Sequence, residues 1–249
     1  MNQNKKELFK QNDLLILKIS GESFKENNNI FNKDFISKLA NQIVILKAKV
    51  AKIGIVVGGG NIWRGMRSKE DIKIDKTNSH YIGMVATLLN ALILKNAINN
   101  LIPNSCEIQS MVAGGSFLEK FSISKTTSYL NQNKIVIFCG GSGMPYFSTD
   151  TISVVRALEL NATYLLMAKN NTDGIYTKDP NKFKDAKFLK EVDLNYLITN
   201  KINIIDLSAL EIINESQKNF KIIVFNINNP LNLNKLSKQE IRFSIISKK

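Results

Sequence analysis

The sequence holds one histidine, His80, and two cysteines, Cys106 and Cys139. A single imidazole cannot supply a His-based catalytic triad or the ligand set of a typical zinc site. Two cysteines without metal spacing build no disulfide framework, and both read as small core residues of a reducing compartment. No GxxxxGK[ST] string occurs, which speaks against P-loop kinases. Gly60 to Gly65 has the glycine spacing, but Met66 follows where a lysine would be needed. HRD and DFG are both missing, and no GxGxxG opens a helix, so protein-kinase and Rossmann readings fall away. Long apolar runs are missing too. Ile82 to Leu94 comes nearest, contains Thr87 and Asn90, and stops at Lys95. That is roughly one-half to two-thirds of a bilayer span, so the segment reads as a buried helix and no membrane is expected. The opening MNQNKKELFKQND is charged without an apolar h-region, so no signal peptide is expected and the location reads as cytoplasmic.

Arginine is scarce: all but four of the 34 basic residues are lysine, and the formal charge is +13. The lysines are scattered and accompany many asparagines and isoleucines. That fits AT-rich codon usage and a solvated surface. Charge alone permits nucleic-acid affinity, but nucleic acid is not expected as a partner. A basic site also suits a substrate with several phosphates. The 249 residues, 44% of them hydrophobic, suit one large α/β domain, with residues 1–12 as an N-terminal tail.

Short β-rich apolar runs alternate with helical patterns, which predicts a mainly parallel sheet. Strands are expected at Leu14 to Ile19, Ile53 to Val57, Glu107 to Val112, Lys134 to Cys139, Thr163 to Met167 and Lys221 to Asn226. Helices are expected at Asp34 to Val50, Ser79 to Asn99, Ser122 to Asn131, Thr149 to Leu160 and Leu207 to Lys218. Leu231 to Ser247 is weakly patterned. Three strands run into glycine loops: Ser20-Gly21, Gly58-Gly59-Gly60 and Gly140-Gly141-Ser142-Gly143. Ligands of open parallel sheets bind beyond the carboxyl ends of the strands, so these loops should converge on one crevice.

The loops carry the candidate chemistry. Lys18, near a strand end, can be a point charge on a transferring phosphoryl group or a lysine that snorkels to water. Gly21 opens backbone amides to an anion. The amides of Gly58 to Gly60 can cradle phosphate oxygens, and Arg64, about one helical turn on, can grip a phosphate bidentately. In Gly141 to Asp150, Thr149 is the expected helix cap. Asp150 can be a plain first-turn acid, an orienter of Lys18 or a Mg2+ ligand. In Met167 to Pro180, Asp173-Gly174 is a tight turn, and Tyr176 can stack on a base or simply pack.

Together, KISGE at 18 to 22, GGGNIWRG at 58 to 65, GMVATLLNAL at 83 to 92, GSGMPYFSTD at 141 to 150 and MAKNNTDGIYTKDP at 167 to 180 resemble bacterial uridylate kinases, a branch of the amino-acid kinase superfamily. The resemblance covers about residues 13–227. It implies a three-layer αβα sandwich on a mainly parallel sheet, a homohexamer, and transfer from Mg-ATP, with its Mg2+, to UMP. By position, it implies that Lys18, Ile19, Ser20, Gly21, Gly60 and Arg64 meet ATP phosphates or the transferring group. Asn170, Tyr176 and Asp179 would border adenosine. Gly59, His80, Ser142, Gly143, Met144, Pro145, Tyr146, Phe147, Ser148 and Thr149 would hold UMP. Lys18, Arg64 and Asp150 would be the catalytic group, with Asp150 organising the lysine.

The sequence departs from that family at the nucleoside end. His80 stands where the family has an aspartate for the ribose, and Met144 where it has an asparagine near the base. Phe24 to Phe31 lacks the family's glycines, and Phe243-Ser244 replaces a Gly-Thr, so GTP activation is not expected. The alternatives are a related kinase with a carboxylate or small-phosphate acceptor, or a non-catalytic protein that senses nucleotides or binds nucleic acid.

Overall fold

The computed structural model describes residues 7–27, 29–64, 73–218 and 220–248. Asn28, Gly65, Met66 and the first half of the expected tail lie outside the described residues. Among those described, nine strands form one sheet. They are β1 (Leu14–Ile19), β2 (Lys52–Val57), β3 (Cys106–Ser110), β4 (Glu119–Lys120), β5 (Ile135–Cys139), β6 (Tyr164–Lys169), β9 (Glu191–Asp193), β10 (Lys221–Asn226) and β11 (Phe243–Ser247). The order is β4-β3-β5-β2-β1-β6-β10-β11-β9, and the β10–β11 pair alone runs antiparallel. A separate antiparallel pair joins β7 (Ile175–Tyr176) to β8 (Phe188–Leu189).

Helices cover both faces. On one side α1 (Lys33–Lys47), α2 (Lys76–Leu101) and α7 (Asn232–Ser237) pack with Leu15, Leu17, Ile19, Ile55 and Ile137. On the other, α3 (Ile123–Asn131), α4 (Thr149–Glu159), α5 (Leu194–Thr199) and α6 (Leu207–Glu215) pack with Ile16, Val56, Leu165, Met167 and Val224. This is the expected αβα sandwich. Near-continuous apolar strands follow from burial on both faces. The helix starts follow from side-chain caps: Asn32 accepts from Phe35 N at 2.9 Å and Asp75 from Asn78 N at 3.0 Å. Asn104, Asn133 and Asn161 take positive φ just beyond α2, α3 and α4, where a short polar side chain tolerates the left-handed region.

Two expectations need correction. The apolar segment at Ile82 to Leu94 belongs to a helix of 26 residues, which by length and composition is long and apolar enough to cross a membrane. In this fold α2 packs against α1, β3 and β5. The weakly patterned C-terminal stretch contains α7 and β11. Each is short, and only Leu233 and Leu236 of α7 are large apolar side chains in its core.

Pleat alternation then decides the site. Ile16 faces the α4 layer, so Lys18, two residues on, projects the same way. Leu165 and Met167 of β6 do likewise, and so does Lys169. Lys18 is in register with Met167, so both lysines leave adjacent strands toward the start of α4.

Candidate active site

The start of α4 supplies the carboxylate that meets them. Asp150 Oδ1 lies 2.7 Å from Lys18 Nζ and Asp150 Oδ2 lies 2.7 Å from Lys169 Nζ. Asp150 and Lys18 are buried, and the Lys169 side chain is mostly covered. Burial is the strongest influence on the Asp150 carboxyl and pushes it up. The two ammoniums outweigh it and hold the group below the usual carboxylate range. Burial also dominates at Lys169, whose ammonium is held below the ordinary lysine range despite Asp150 beside it, and Lys18 adds to that direction. One carboxylate thus balances two cations, leaving net positive charge at the edge of the sheet.

Asp150 forms an ion pair with Lys18, as an orienter of that lysine would. Both carboxylate oxygens are engaged by lysines. Lys169 is a candidate site residue, brought onto Asp150, that the motif reading passed over. The same signal, a lysine closing a buried strand before a polar loop, was available for it. Thr149 is not the cap of α4. Ser148 is, with its Oγ accepting from Thr151 N at 3.1 Å, and Thr149 is the first helical residue.

The glycine loops meet as expected. A Cβ on Gly21 would lie 2.3 Å from Gly60 N, and one on Gly58 2.9 Å from Gly21 N. These backbones touch, and no side chain fits between them. Ser20 Oγ accepts from Glu22 N at 3.3 Å and caps the 3-10 turn Gly21–Phe24. Arg64 follows the glycines by a single turn at Gly59 to Trp63, closed by Ile62 N and Trp63 N donating to Gly59 O; it belongs to no helix, and α2 starts later. Its guanidinium pairs with Glu22, whose carboxylate also binds Lys25 at 2.9 Å. Burial pushes the Glu22 carboxyl up, but Lys25 and Arg64 hold it below its ordinary range.

Two clefts are lined by residues close in sequence to this centre. The first, of about 640 Å3, is lined by Gly59, Gly60, Trp63, Lys76, His80, Gly83, Thr87, Gly141 and the run Tyr146 to Thr149, among others. Tyr146 takes φ 72° and is held against the first turns of α2. Its ring lies 4.9 Å from that of His80 and 5.1 Å from Lys76 Nζ, and its hydroxyl is 2.9 Å from Thr77 Oγ1. Ser142, Gly143, Met144 and Pro145 do not line it; they form the turn that delivers Tyr146, closed by Ser142 Oγ donating to Met144 O at 2.7 Å. Met144 is exposed.

The second cleft, of about 460 Å3, is lined by Tyr176, Asp179 and neighbours between Thr172 and Lys182, facing residues 200 to 204. The Tyr176 hydroxyl donates to Asp173 at 2.7 Å and its ring packs edge-on to Phe188 at 5.5 Å. Asn170 instead accepts from Ser23 Oγ at 2.7 Å, tying the loop after β6 to the loop after β1. Thr149 of the first cleft directly precedes Asp150, and Lys169 lies three residues before Thr172 of the second. The arrangement offers two ammoniums and open backbone amides beside two receptacles, with no histidine at the centre. That is a set of groups for neutralising and aligning phosphates.

Comparison with known proteins agrees with this chemistry. The model of the amino acid kinase family matches residues 13–226. The uridylate kinase of Mycoplasma capricolum is 36% identical over 232 residues, covering 93% of this chain and 97% of that protein. The crystal structure of UMP kinase from Ureaplasma parvum superposes with a TM-score of 0.89 at 32% identity, over 95% of this chain and 99% of that one. That of UMP kinase from Bacillus anthracis gives 0.86 at 28%, over 95% and 96%. Fold, site and full-length similarity agree, and the chain belongs to the amino acid kinase family, in its uridylate kinase branch.

Proposed function

We propose that the chain transfers a phosphoryl group from Mg-ATP to UMP, giving UDP and ADP. The observation that carries this reading is the buried Lys18–Asp150–Lys169 cluster at the C-terminal edge of the sheet, with Thr149, the neighbour of Asp150, lining the first cleft. On this reading the first cleft takes UMP and the second the adenosine of ATP, with Mg2+ arriving as part of that substrate. A UMP phosphate oxygen attacks the γ-phosphorus as the bond from that phosphorus to the β-phosphate oxygen breaks. UMP is mostly dianionic at neutral pH, its second pKa being about 6, so its attacking oxygen needs no general base. The site's work is alignment and neutralisation. Lys18, Lys169 and Arg64 bring positive charge to the oxygens of the transferring group, and Asp150 holds the two lysines in place. Gly59 and Gly60 allow the backbone to come close.

A homohexamer, a cytoplasmic location and a role in pyrimidine nucleotide (CTP/UTP) biosynthesis belong to the same proposal. Assembly is supported by Tyr81, Val85 and Leu89, which stand on one exposed stripe of α2. Light scattering that gave only a 28.0 kDa species would overturn the assembly. Activity is tested by ADP release with UMP, CMP, dTMP, AMP, acetylglutamate, aspartate, carbamate and isopentenyl phosphate as acceptors. UMP should be preferred; a panel without that preference removes the substrate assignment.

A further inference from the structure

The two polar residues that interrupt the apolar run of α2 each hold a different glycine loop. Asn90 is fully buried. Its Nδ2 donates to Gly58 O at 2.6 Å and to Asn61 Oδ1 at 2.7 Å. Asn61 Nδ2 donates back to Asn90 Oδ1 at 3.0 Å and to Ile30 O at 3.1 Å. The two carboxamides therefore form a closed pair in which all four amide hydrogens have acceptors, and the pair is pinned to the loop after β2. Thr87 is buried as well. Its Oγ1 accepts from Gly140 N at 2.7 Å and donates to Met84 O at 2.6 Å, so its one hydrogen is committed and its lone pair faces the loop after β5. Packing repeats the pattern. A Cβ on Gly59 would lie 2.8 Å from Ala86 Cβ and from Gly83 O, and one on Gly141 3.2 Å from Met84 Cγ. Thr87 and Asn90 are three residues apart, about 4.5 Å along the axis and on one face.

We infer that Thr87 and Asn90 are positioning residues that fix the spacing between the two glycine loops, α2 acting as the gauge between them. Neither touches the reacting atoms in this account. The Gly58 carbonyl is drawn onto Asn90, which sets where the chain through Gly59 and Gly60, both lining the cleft, begins. Gly140 N–H is drawn onto Thr87, which sets where the chain to Tyr146 begins. The inference rests on the proposed assignment of the first cleft to the acceptor. It explains a cost the helix bears: two buried polar side chains where leucines would pack without any partner to satisfy.

The test uses the full chain, with Thr87→Val as the near-isosteric loss of the acceptor, Thr87→Ser as the conservative rescue, and Asn90→Leu. Wild-type turnover of UMP with Mg-ATP checks the functional assignment first. Should another acceptor of the panel be the one used, the same ratios are read with it. Thr87→Val should raise the acceptor KM about tenfold while the ATP KM stays within about twofold, and Thr87→Ser should restore most of the loss. Asn90→Leu should lower kcat about tenfold at an acceptor KM changed less than in Thr87→Val. A merely structural role would lower the melting temperature and the active fraction and leave both KM values alone. Unchanged KM values in Thr87→Val, equal rises in both, or a Thr87→Ser variant as impaired as Thr87→Val would overturn the inference. If Asn90→Leu does not fold, the Thr87 pair decides it alone.

Discussion

Replacing Asp150 by asparagine keeps the shape of the side chain and removes the one negative charge between Lys18 and Lys169. Each ammonium sits 2.7 Å from a different oxygen of that carboxylate. The two nitrogens therefore lie roughly 5 to 7 Å apart, and at an effective dielectric near 20 their repulsion is about 2.4 to 3.3 kcal/mol. In the native protein that repulsion is offset by the carboxylate; in Asp150→Asn it is not. A loss of about 3 kcal/mol corresponds to a melting temperature lower by roughly 6 to 12 °C in a chain of this size. Misplacing the ammoniums that face the transferring phosphoryl should cost about 10²- to 10³-fold in kcat, as for loss of one preorganised donor. Scanning calorimetry and the coupled ADP-release assay with UMP read both quantities. The decisive variant is the double change Asp150→Asn with Lys169→Met. It removes the repulsion, so it should recover most of the lost melting temperature while leaving kcat low. A double variant no more stable than Asp150→Asn, or a kcat within tenfold of wild type in Asp150→Asn, would refute the charge balance described for this site.

Lys169 is held below an ordinary lysine's 10.5, chiefly by burial, so its ammonium is lost at a lower pH than in an unburied lysine. If that ammonium is needed, kcat should fall on an alkaline limb as pH rises through this lowered value. Lys169→Arg should push the limb upward, and an unmoved limb in a pH–rate profile would exclude Lys169 as its source. Arg64→Ala should cut kcat/KM about 10²-fold or more while shifting the melting temperature little, because the Arg64 side chain is partly exposed and its pairing with Glu22 is worth less there than a buried pair. Equal losses of activity and stability would mark a structural arginine. Gly21→Ala should destabilise the chain by about 1 to 3 kcal/mol through overpacking, since the new methyl group would meet Gly60 N at 2.3 Å. A denaturation midpoint like that of wild type would show that the two loops can part freely.

The central strands and their helices were legible because the fold buries both faces of the sheet. Leu14–Ile19 and Lys221–Asn226 read as mostly apolar runs whose ends coincide with the observed strands. Elements at the sheet margin were not legible. β9 has three residues and β11 five, and what makes them strands is pairing with one another and with β10, remote in sequence. Within the site, the glycine loops announced themselves by composition and Lys18 by its place at a strand end. Lys169 carried the same strand-end signal, but its partner depends on strand register: only the pairing of β6 beside β1 brings it to the face that Lys18 occupies. The exchange of cap between Thr149 and Ser148 is a one-residue matter that two adjacent hydroxyl residues leave undecided. The partnership of Glu22 with Arg64 likewise spans 42 positions and carries no local signature.

β1 is the fifth strand of nine, hydrogen-bonded to β2 along one edge and to β6 along the other. The peptide groups next to Lys18 can therefore reach water only when neighbouring strands separate, an event whose free energy approaches that of unfolding the whole domain. Amide hydrogens there should exchange among the slowest in the molecule. The anchor of the lysine would then share its lifetime with the native state itself, and warming should not loosen it ahead of the main melting transition.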